Sequence, residues 1–445
     1  MKTSNTFSII EHQAFSKEDL KEIFKEKAEG FYKELEDFAK NNENLLGFKN
    51  KNTLKAKNYV GIIQTKSGVL EILPKCTNLD SYKKEDSSSN HDKEKLRRCY
   101  ELDNISKNND FYEKDFKFNP KNLLINMLKT LKNSPFKKSQ ISSLQSSKIP
   151  LFEVFITMFL DEFDSVYKKG LMRSYLSCEE NRAFLKGKLL FNEHIKQNLI
   201  HKERFFTQSD EFMLDIAPNR LIKSTLNLLK SKTTHHKFKI IKALEMFDEV
   251  GFSTNYEKDF TYKISRHFDY YENLLSWCKI FLQNQTFAPY KGKNEAFALL
   301  FPMEKLFEDY VAHMLKKANP TQNIKTQSSG KYLISKKGEK CFMLKPDLYI
   351  ENETILDTKW KIPDSNEDKK HGIAQSDLYQ MFAYACKFKI HDIKLIYPLC
   401  ERTMSLQNTI KELEFNANEH LAFLNDNSPL KTNIKVQVIF APLPF

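Results

Sequence analysis

Leu344-Lys345-Pro346-Asp347-Leu348-Tyr349-Ile350 runs through Glu351-Asn352-Glu353 into Thr354-Ile355-Leu356-Asp357-Thr358-Lys359. Two apolar runs joined by a polar turn predict a β-hairpin. In a strand, residues two apart project to the same face, so Asp357 and Lys359 point together and the hairpin brings Asp347 back alongside them. Two carboxylates converging on a strand end make an oxygen site suited to Mg²⁺, which keeps several waters and reaches a substrate phosphate. A lysine beside that ion can position or deprotonate an attacking water. Such a residue set points to metal-assisted phosphodiester hydrolysis. An isolated Asp-Thr-Lys triplet is most often only a solvated strand face; the second acid, the proline before it and the hairpin spacing set this one apart.

Around the hairpin, the C-terminal pattern reads α-β-β-α-β: a helix over 303–317, strands over 341–350 and 354–359, a helix over 374–387 and a strand over 392–397. Apolar alternation over 434–440 adds a further strand. In the 374–387 helix, Gln-x-x-x-Tyr occurs twice, at Gln375/Tyr379 and Gln380/Tyr384. Spacing of four residues puts each pair on one helical face; a packed helix whose Gln and Tyr bridge core and solvent gives the same pattern.

Toward the N-terminus, Phe7-Ser8-Ile9-Ile10 is strand-like, and Phe24, Ala28, Phe31, Leu35 and Phe38 repeat at helical spacing over 17–41. That stripe is expected to pack in its own core, with a partner-docking face as the alternative. Two β-rich runs, 59–63 and 69–75, flank Lys66-Ser67-Gly68 as a second hairpin. The chain then turns polar over 77–119, an insertion or loop. From 151 to about 290 the pattern is mostly helical.

The chain has 445 residues, 40% hydrophobic and 29% charged, a composition that excludes a disordered, collagen-like or disulfide-stapled protein. The net charge of +12 and pI near 9.0 favour a polyanionic partner, nucleic acid or an acidic membrane surface. Codon drift in an AT-rich genome produces the same bias. Seven cysteines, never spaced Cys-x-x-Cys, argue against a disulfide framework and a zinc ribbon and read as reduced thiols. No stretch is long and apolar enough for a membrane span, so a cytoplasmic protein is expected.

Motors driven by nucleotide hydrolysis usually carry G-x-x-x-x-G-K-[ST]; the Gly-Lys pairs 187/188, 292/293 and 330/331 have Arg182, Phe287 and Lys325 where the first glycine should stand. The chain therefore binds no nucleotide through a P-loop, and any motor is another protein. G-x-G-x-x-G, H-E-x-x-H and G-x-S-x-G are likewise missing.

Pro346-Asp347 with Asp357-Thr358-Lys359 resembles the PD-(D/E)xK nuclease signature, and the 377–384 segment resembles the one that follows it in the McrC family, nuclease subunits of the McrBC modification-dependent restriction systems. Tyr59-Val60-Gly61-Ile62 with 70–75, Lys169-Gly170-Leu171, Pro218-Asn219-Arg220-Leu221 and 303–308 are similar to other landmarks of that family. The likeness spans most of the chain in order, with 77–119 as its main departure.

The resemblance implies an α/β protein with a mixed N-terminal partner-docking region at 1–150, a mostly helical middle at 151–290, and a C-terminal PD-(D/E)xK nuclease domain at 291–445, a mixed sheet flanked by helices. Asp347 and Asp357 would ligate Mg²⁺ or Mn²⁺, and Lys359 would assist the water. A helix glutamate completes the metal shell in related nucleases; the matching position is Glu308, with Glu304 also at the margin of that helix's buried face. Gln380 would orient the DNA or the metal site, with Gln375 competing for the same motif. The implied partners are double-stranded, methylated DNA and an McrB-like AAA+ GTPase ring that the chain stimulates. The alternatives are a RecB-like repair nuclease without a GTPase and a non-catalytic activator of a ring NTPase.

Overall fold

The computed structural model describes residues 6–76, 93–102, 118–131, 135–138, 149–233, 235–283, 297–328, 330–336, 338–366, 368, 370–406, 412–415 and 434–444. The protein is mixed α/β and divides into two compact units, Met1–Leu151 with Thr286–Phe445, and Phe152–Gln285. The N-terminal and C-terminal segments, read separately from sequence, thus share one unit.

The first unit begins with β1 (Thr6–Ile10) and β2 (Ala14–Ser16). The Ser16 N–H donates to Asp19 Oδ2 at 2.6 Å, closing a capping box on the helix that follows. The single helix expected over 17–41 is broken: Lys17–Phe24 and Ala28–Asn41 flank a 3₁₀ turn at Lys25–Lys27. Lys25 has φ +51°, a left-handed conformation through which no right-handed helix continues. The Phe24, Ala28, Phe31, Leu35, Phe38 stripe is nonetheless buried in the unit's own core, with Phe7, Ile9 and Leu70. Strands β3 (Leu46–Asn50) and β4 (Thr53–Ala56) join β2 in the order β2-β4-β3. The hairpin expected at 59–75 is formed by β5 (Tyr59–Gln64) and β6 (Val69–Leu73), with β1 parallel to β6.

Most of the polar stretch 77–119 lies outside the described residues. Within it, helix Lys93–Arg98 is followed by a fully buried Tyr100, whose hydroxyl donates to the Pro442 carbonyl at 2.6 Å.

The second unit holds helices Leu151–Lys169, Phe191–Asn198, Ala217–Lys232, Lys237–Glu245 and Tyr271–Leu282. A helical reading of the middle misses its sheet, β7 (Ser174–Arg182), β8 (Lys188–Leu189) and β9 (Phe205–Met213), in the order β7-β9-β8. The reason is physical: the sheet's buried positions are polar, Arg182, Thr207 and Ser209, while Tyr175 and Phe212 are exposed, so the sequence lacks the apolar alternation of a half-buried strand. Asn219 is buried beneath that sheet's exit, its Nδ2 donating to the Met172 and Leu214 carbonyls at 2.8 Å each.

The chain returns to the first unit with β10 (Phe297–Pro302), antiparallel to β5, completing the sheet β1-β6-β5-β10. Gly61, at φ +134°, permits that pairing, because a Cβ there would stand 2.0 Å from the Leu299 carbonyl oxygen. After helix Met303–Ala318 come β11 (Ile324–Thr326), the ribbon β12 (Lys331–Lys336) and β13 (Glu339–Leu344), then β14 (Leu348–Ile350), β15 (Thr354–Thr358), β16 (Asp392–Leu399), β17 (Glu412–Phe415) and β18 (Ile434–Pro442). The expected strand 341–350 is therefore two strands of different sheets, parted at Lys345-Pro346-Asp347, where proline removes a ladder donor. The larger sheet has the order β11-β14-β15-β16-β18-β17, antiparallel at its ends and parallel across β15, β16 and β18. Helix Gln375–Phe388 makes the crossover from β15 to β16. Among the described residues, no helix is long and apolar enough to cross a membrane.

Candidate active site

β14 and β15 pair as Leu348↔Leu356 and Ile350↔Thr354, and Asn352 takes φ +60° in the turn, a conformation asparagine tolerates. β15 lies between β14 and β16 and is buried along its length. Its C-terminal end therefore delivers Asp357 into the interior, 1% exposed, followed by buried Thr358, half-buried Lys359 and buried Trp360. Asp347 precedes β14 and reaches across to this end: its Oδ2 accepts from the Thr358 amide at 2.8 Å and the Thr358 hydroxyl at 2.6 Å. Thr358, not singled out from sequence, thus fixes the first acid against the second.

Lys359 Nζ stands 2.6 Å from Asp357 Oδ2 and donates to Gln380 Oε1 at 2.9 Å. Gln380 Nε2 donates to the Tyr384 hydroxyl at 2.9 Å, which donates in turn to the Lys345 carbonyl at 3.0 Å. Gln375 does none of this; it is exposed and bonds Tyr379 on the outer face. Of the two Gln-x-x-x-Tyr pairs, the structure brings only Gln380/Tyr384 to the site. Asp377, also missed as a site residue, is buried nearby and bound by Lys361 Nζ at 2.7 Å.

The two helix glutamates separate as clearly. Glu308 Oε1 accepts from Lys305 Nζ at 2.8 Å and from Gln327 Nε2 at 2.9 Å, while the Gln327 amide donates to the Asp347 carbonyl at 2.9 Å. A cleft of about 470 Å³ opens beside Glu308, lined also by Lys305, Asp309, His313, Lys316 and Gln327. Glu304, one turn earlier and exposed, is close enough to add its charge to the field on Glu11. Buried Glu11 accepts from Trp360 Nε1 at 2.6 Å and the Lys75 amide at 3.1 Å; Lys75 Nζ donates to the Trp360 carbonyl at 2.9 Å. Residues from the N-terminal segment thereby hold the position next to Lys359.

Electrostatics mark the strand end. Burial, with the Asp347 charge adding to it, pushes the Asp357 carboxyl up to about 7 despite Lys359. Burial likewise raises Glu308, with Asp347 again contributing. Burial opposes the Lys359 charge, but Asp357, Asp377 and Asp347 together hold its ammonium above the ordinary lysine value. Perturbation by desolvation and specific charge partners at one strand end is the signature of a functional site.

The donor set is all oxygen, and the buried Asp357 Oδ2 has the Lys359 ammonium as its partner at 2.6 Å. Among the described residues no three His, Cys, Asp or Glu gather tightly enough to hold a metal ion. The Asp347–Asp357 pair suits instead an ion that takes one or two carboxylates and keeps its waters, the habit of Mg²⁺ rather than of Zn²⁺.

The model of one protein family, described as McrBC 5-methylcytosine restriction system component, matches residues 54–398. No curated protein matches the chain. A chain of the refined half-complex from the tetradecameric assembly of Thermococcus gammatolerans McrB AAA+ hexamers with bound McrC is similar at 20% identity and TM-score 0.61, over 98% of this chain and 94% of that one. A chain of the cryo-EM structure of the Thermococcus gammatolerans McrBC complex is similar at 21% identity and TM-score 0.44, over 70% of this chain and 87% of that one. The first of these likenesses shows a shared fold.

Proposed function

The chain belongs to the family of McrBC 5-methylcytosine restriction system components, and we propose that within such a system it is the DNA-cleaving subunit, a Mg²⁺-dependent endonuclease of the PD-(D/E)xK type. The observation that carries this reading is the gathering of Asp347, Asp357, Lys359 and Gln380 at the end of β15. Asp347 and Asp357 would hold Mg²⁺, which when bound supplies a Lewis acid for the phosphate and a more acidic water. Thr358 keeps Asp347 turned toward that position. Lys359, charged and held between Asp357 and Gln380, orients the attacking water and offsets charge building on the phosphate. Glu308 stands at the open margin, tied to Asp347 through Gln327.

The partner is an AAA+ ring of the McrB kind, which the chain stimulates and which supplies the nucleotide hydrolysis for which this chain carries no P-loop. The Thermococcus gammatolerans assembly of McrB AAA+ hexamers with bound McrC supports the partnership with such a ring, and the net charge of +12 suits a DNA substrate.

The test is Mg²⁺- and GTP-dependent cleavage of methylated against unmethylated plasmid by the chain co-purified with its ring, beside Asp357→Ala. Methyl-dependent cutting that disappears in the variant, with GTPase stimulation intact, is expected. Cutting that persists would place the chemistry elsewhere, and an assembly that never cuts would leave a non-catalytic activator.

A further inference from the structure

The ribbon of β12 and β13 joins no other strand among the described residues. Leu333, Ile334, Phe342 and Met343 are 40%, 51%, 70% and 41% exposed. An isolated two-stranded ribbon is marginal in water, and one with this much bare apolar surface calls for a partner that covers it. Phe342 adds a second oddity, φ +58° in a bulky residue, where left-handed backbone is a true outlier. Strain of this kind clusters at binding and catalytic positions.

Charge identifies the partner. Residues 331–345 carry five lysines, Lys331, Lys336, Lys337, Lys340 and Lys345, against the single acid Glu339. Placement says where that partner must lie: the ribbon's last residue is followed directly by Lys345-Pro346-Asp347, and the Lys345 carbonyl is held by Tyr384, which also bonds Gln380. At the ribbon's other root, Lys331 Nζ donates to the Lys387 carbonyl at 2.9 Å and lies 4.7 Å over the Phe388 ring. Both roots therefore rest on the helix that carries Gln380.

Resting on the nuclease reading above, we infer that the β12–β13 ribbon is a duplex-DNA-binding arm that enters a groove and sets the scissile phosphate against Asp347 and Asp357. A two-stranded ribbon fits the major groove, and exposed apolar side chains can wedge a base step from the minor groove. Exposed Lys336 and Lys340 bind flanking phosphates, and Phe342 presses on the bases.

Duplex binding by the full chain assembled with its ring, each chain also carrying Asp357→Ala so that DNA stays intact, tests this with Lys336→Glu/Lys340→Glu and separately with exposed Phe342→Ser. Both should weaken binding at least about tenfold, and the charge variant should flatten the plot of log K against log salt by about 0.9 for each phosphate no longer neutralised. Ring assembly and GTPase stimulation should not change. If the wild-type assembly cuts DNA but both ribbon variants bind it as well as their Asp357→Ala parent, the arm is refuted and the nuclease reading stands. If they lose the ring instead, the ribbon is a protein interface and the inference fails. A wild-type assembly that cuts no DNA removes both readings together.

Discussion

Two antiparallel ribbons bare apolar side chains to solvent, and they differ in charge. In β7 and β9, Tyr175 and Phe212 face one another across the ladder, 70% and 54% exposed, with ring centroids 5.0 Å apart. Those strands hold Glu179, Glu180, Asp210 and Glu211 against Arg182 alone, a net charge of 1 − 4 = −3. In β12 and β13 the count is Lys331, Lys336 and Lys340 against Glu339, 3 − 1 = +2. Apolar exposure says that a strand pair has something to meet; only charge says what. A polyanion is attracted to the second ribbon and repelled by the first.

The comparison breaks most sharply at the chemistry, because the basic ribbon leads into a cluster of buried charge and the acidic one does not. Lys359→Ala should lower the cleavage rate by about 10²–10⁴-fold, the range for losing a positioned proton-transfer or charge-stabilising group. Gln380→Ala, which leaves the lysine in place but unheld, should cost about tenfold to a hundredfold. Single-turnover cutting by the assembly checks both. Equal rates for Gln380→Ala and the parent would mean that the Lys345–Tyr384–Gln380 chain is only packing.

Metal-free stability should also separate the two units. Asp357 has a folded-state pKa raised from near 4 to about 7, so its contribution is fully present below the unfolded value and is lost as pH rises through 7. Metal-free protein should therefore lose up to a few kcal/mol of first-unit stability between about pH 4 and 7. Asp357→Asn should flatten that slope and be the more stable form at pH 8, the raised Glu308 and Glu11 carboxyls accounting for what slope remains. Each unit has its own buried tryptophan, Trp360 in the first and Trp277 in the second. Denaturation of single-tryptophan variants reports the units separately. Added Mg²⁺ should raise only the Trp360 transition, by mass action on the folded site; an equal rise for Trp277 would rule out a metal held by Asp347 and Asp357.

The β14–β15 hairpin, the crossover helix and strands β16 and β18 were legible in sequence because each is a buried, apolar, short-range pattern; β17 was not read. Asp347, Asp357 and Lys359 were legible with them, since strand alternation and one turn suffice to bring them together. Choosing Glu308 over Glu304, or Gln380 over Gln375, was not possible from the sequence, since the two glutamates lie one turn apart and the Gln-x-x-x-Tyr motif occurs twice, and only the tertiary neighbours, Gln327 and Lys359, discriminate. Glu11 and Lys75 were invisible for a stronger reason: their partner Trp360 lies 349 and 285 residues away in the chain. Trp360→Phe keeps the ring but removes the donor at 2.6 Å, and should cost about 1–3 kcal/mol for the buried carboxylate left short of a partner, read as a lower Mg²⁺-free midpoint in urea. The β7–β9 sheet was missed because its buried positions, Arg182, Thr207 and Ser209, are polar and write no apolar alternation into the sequence.

The smallest effect sharpens the comparison most. Tyr175→Ser and Phe212→Ser should leave DNA affinity within about twofold, because they remove apolar surface from a ribbon whose field disfavours phosphate, and exposed substitutions of this kind are near neutral for anything they do not touch. Reversing charge there asks whether field or position decides. Glu179 and Asp210 are exposed and lie on paired strands; Glu179→Lys/Asp210→Lys brings the two strands from −3 to +1. If charge near the chain were sufficient for productive binding, the cleavage rate at low salt should rise with affinity. The expected result is a modest rise in affinity, about threefold or less and gone at physiological salt, with the cleavage rate unchanged. Nonspecific lysines recruit phosphate by counterion release wherever they stand, whereas only a ribbon rooted on the Gln380 helix can aim one at Asp357.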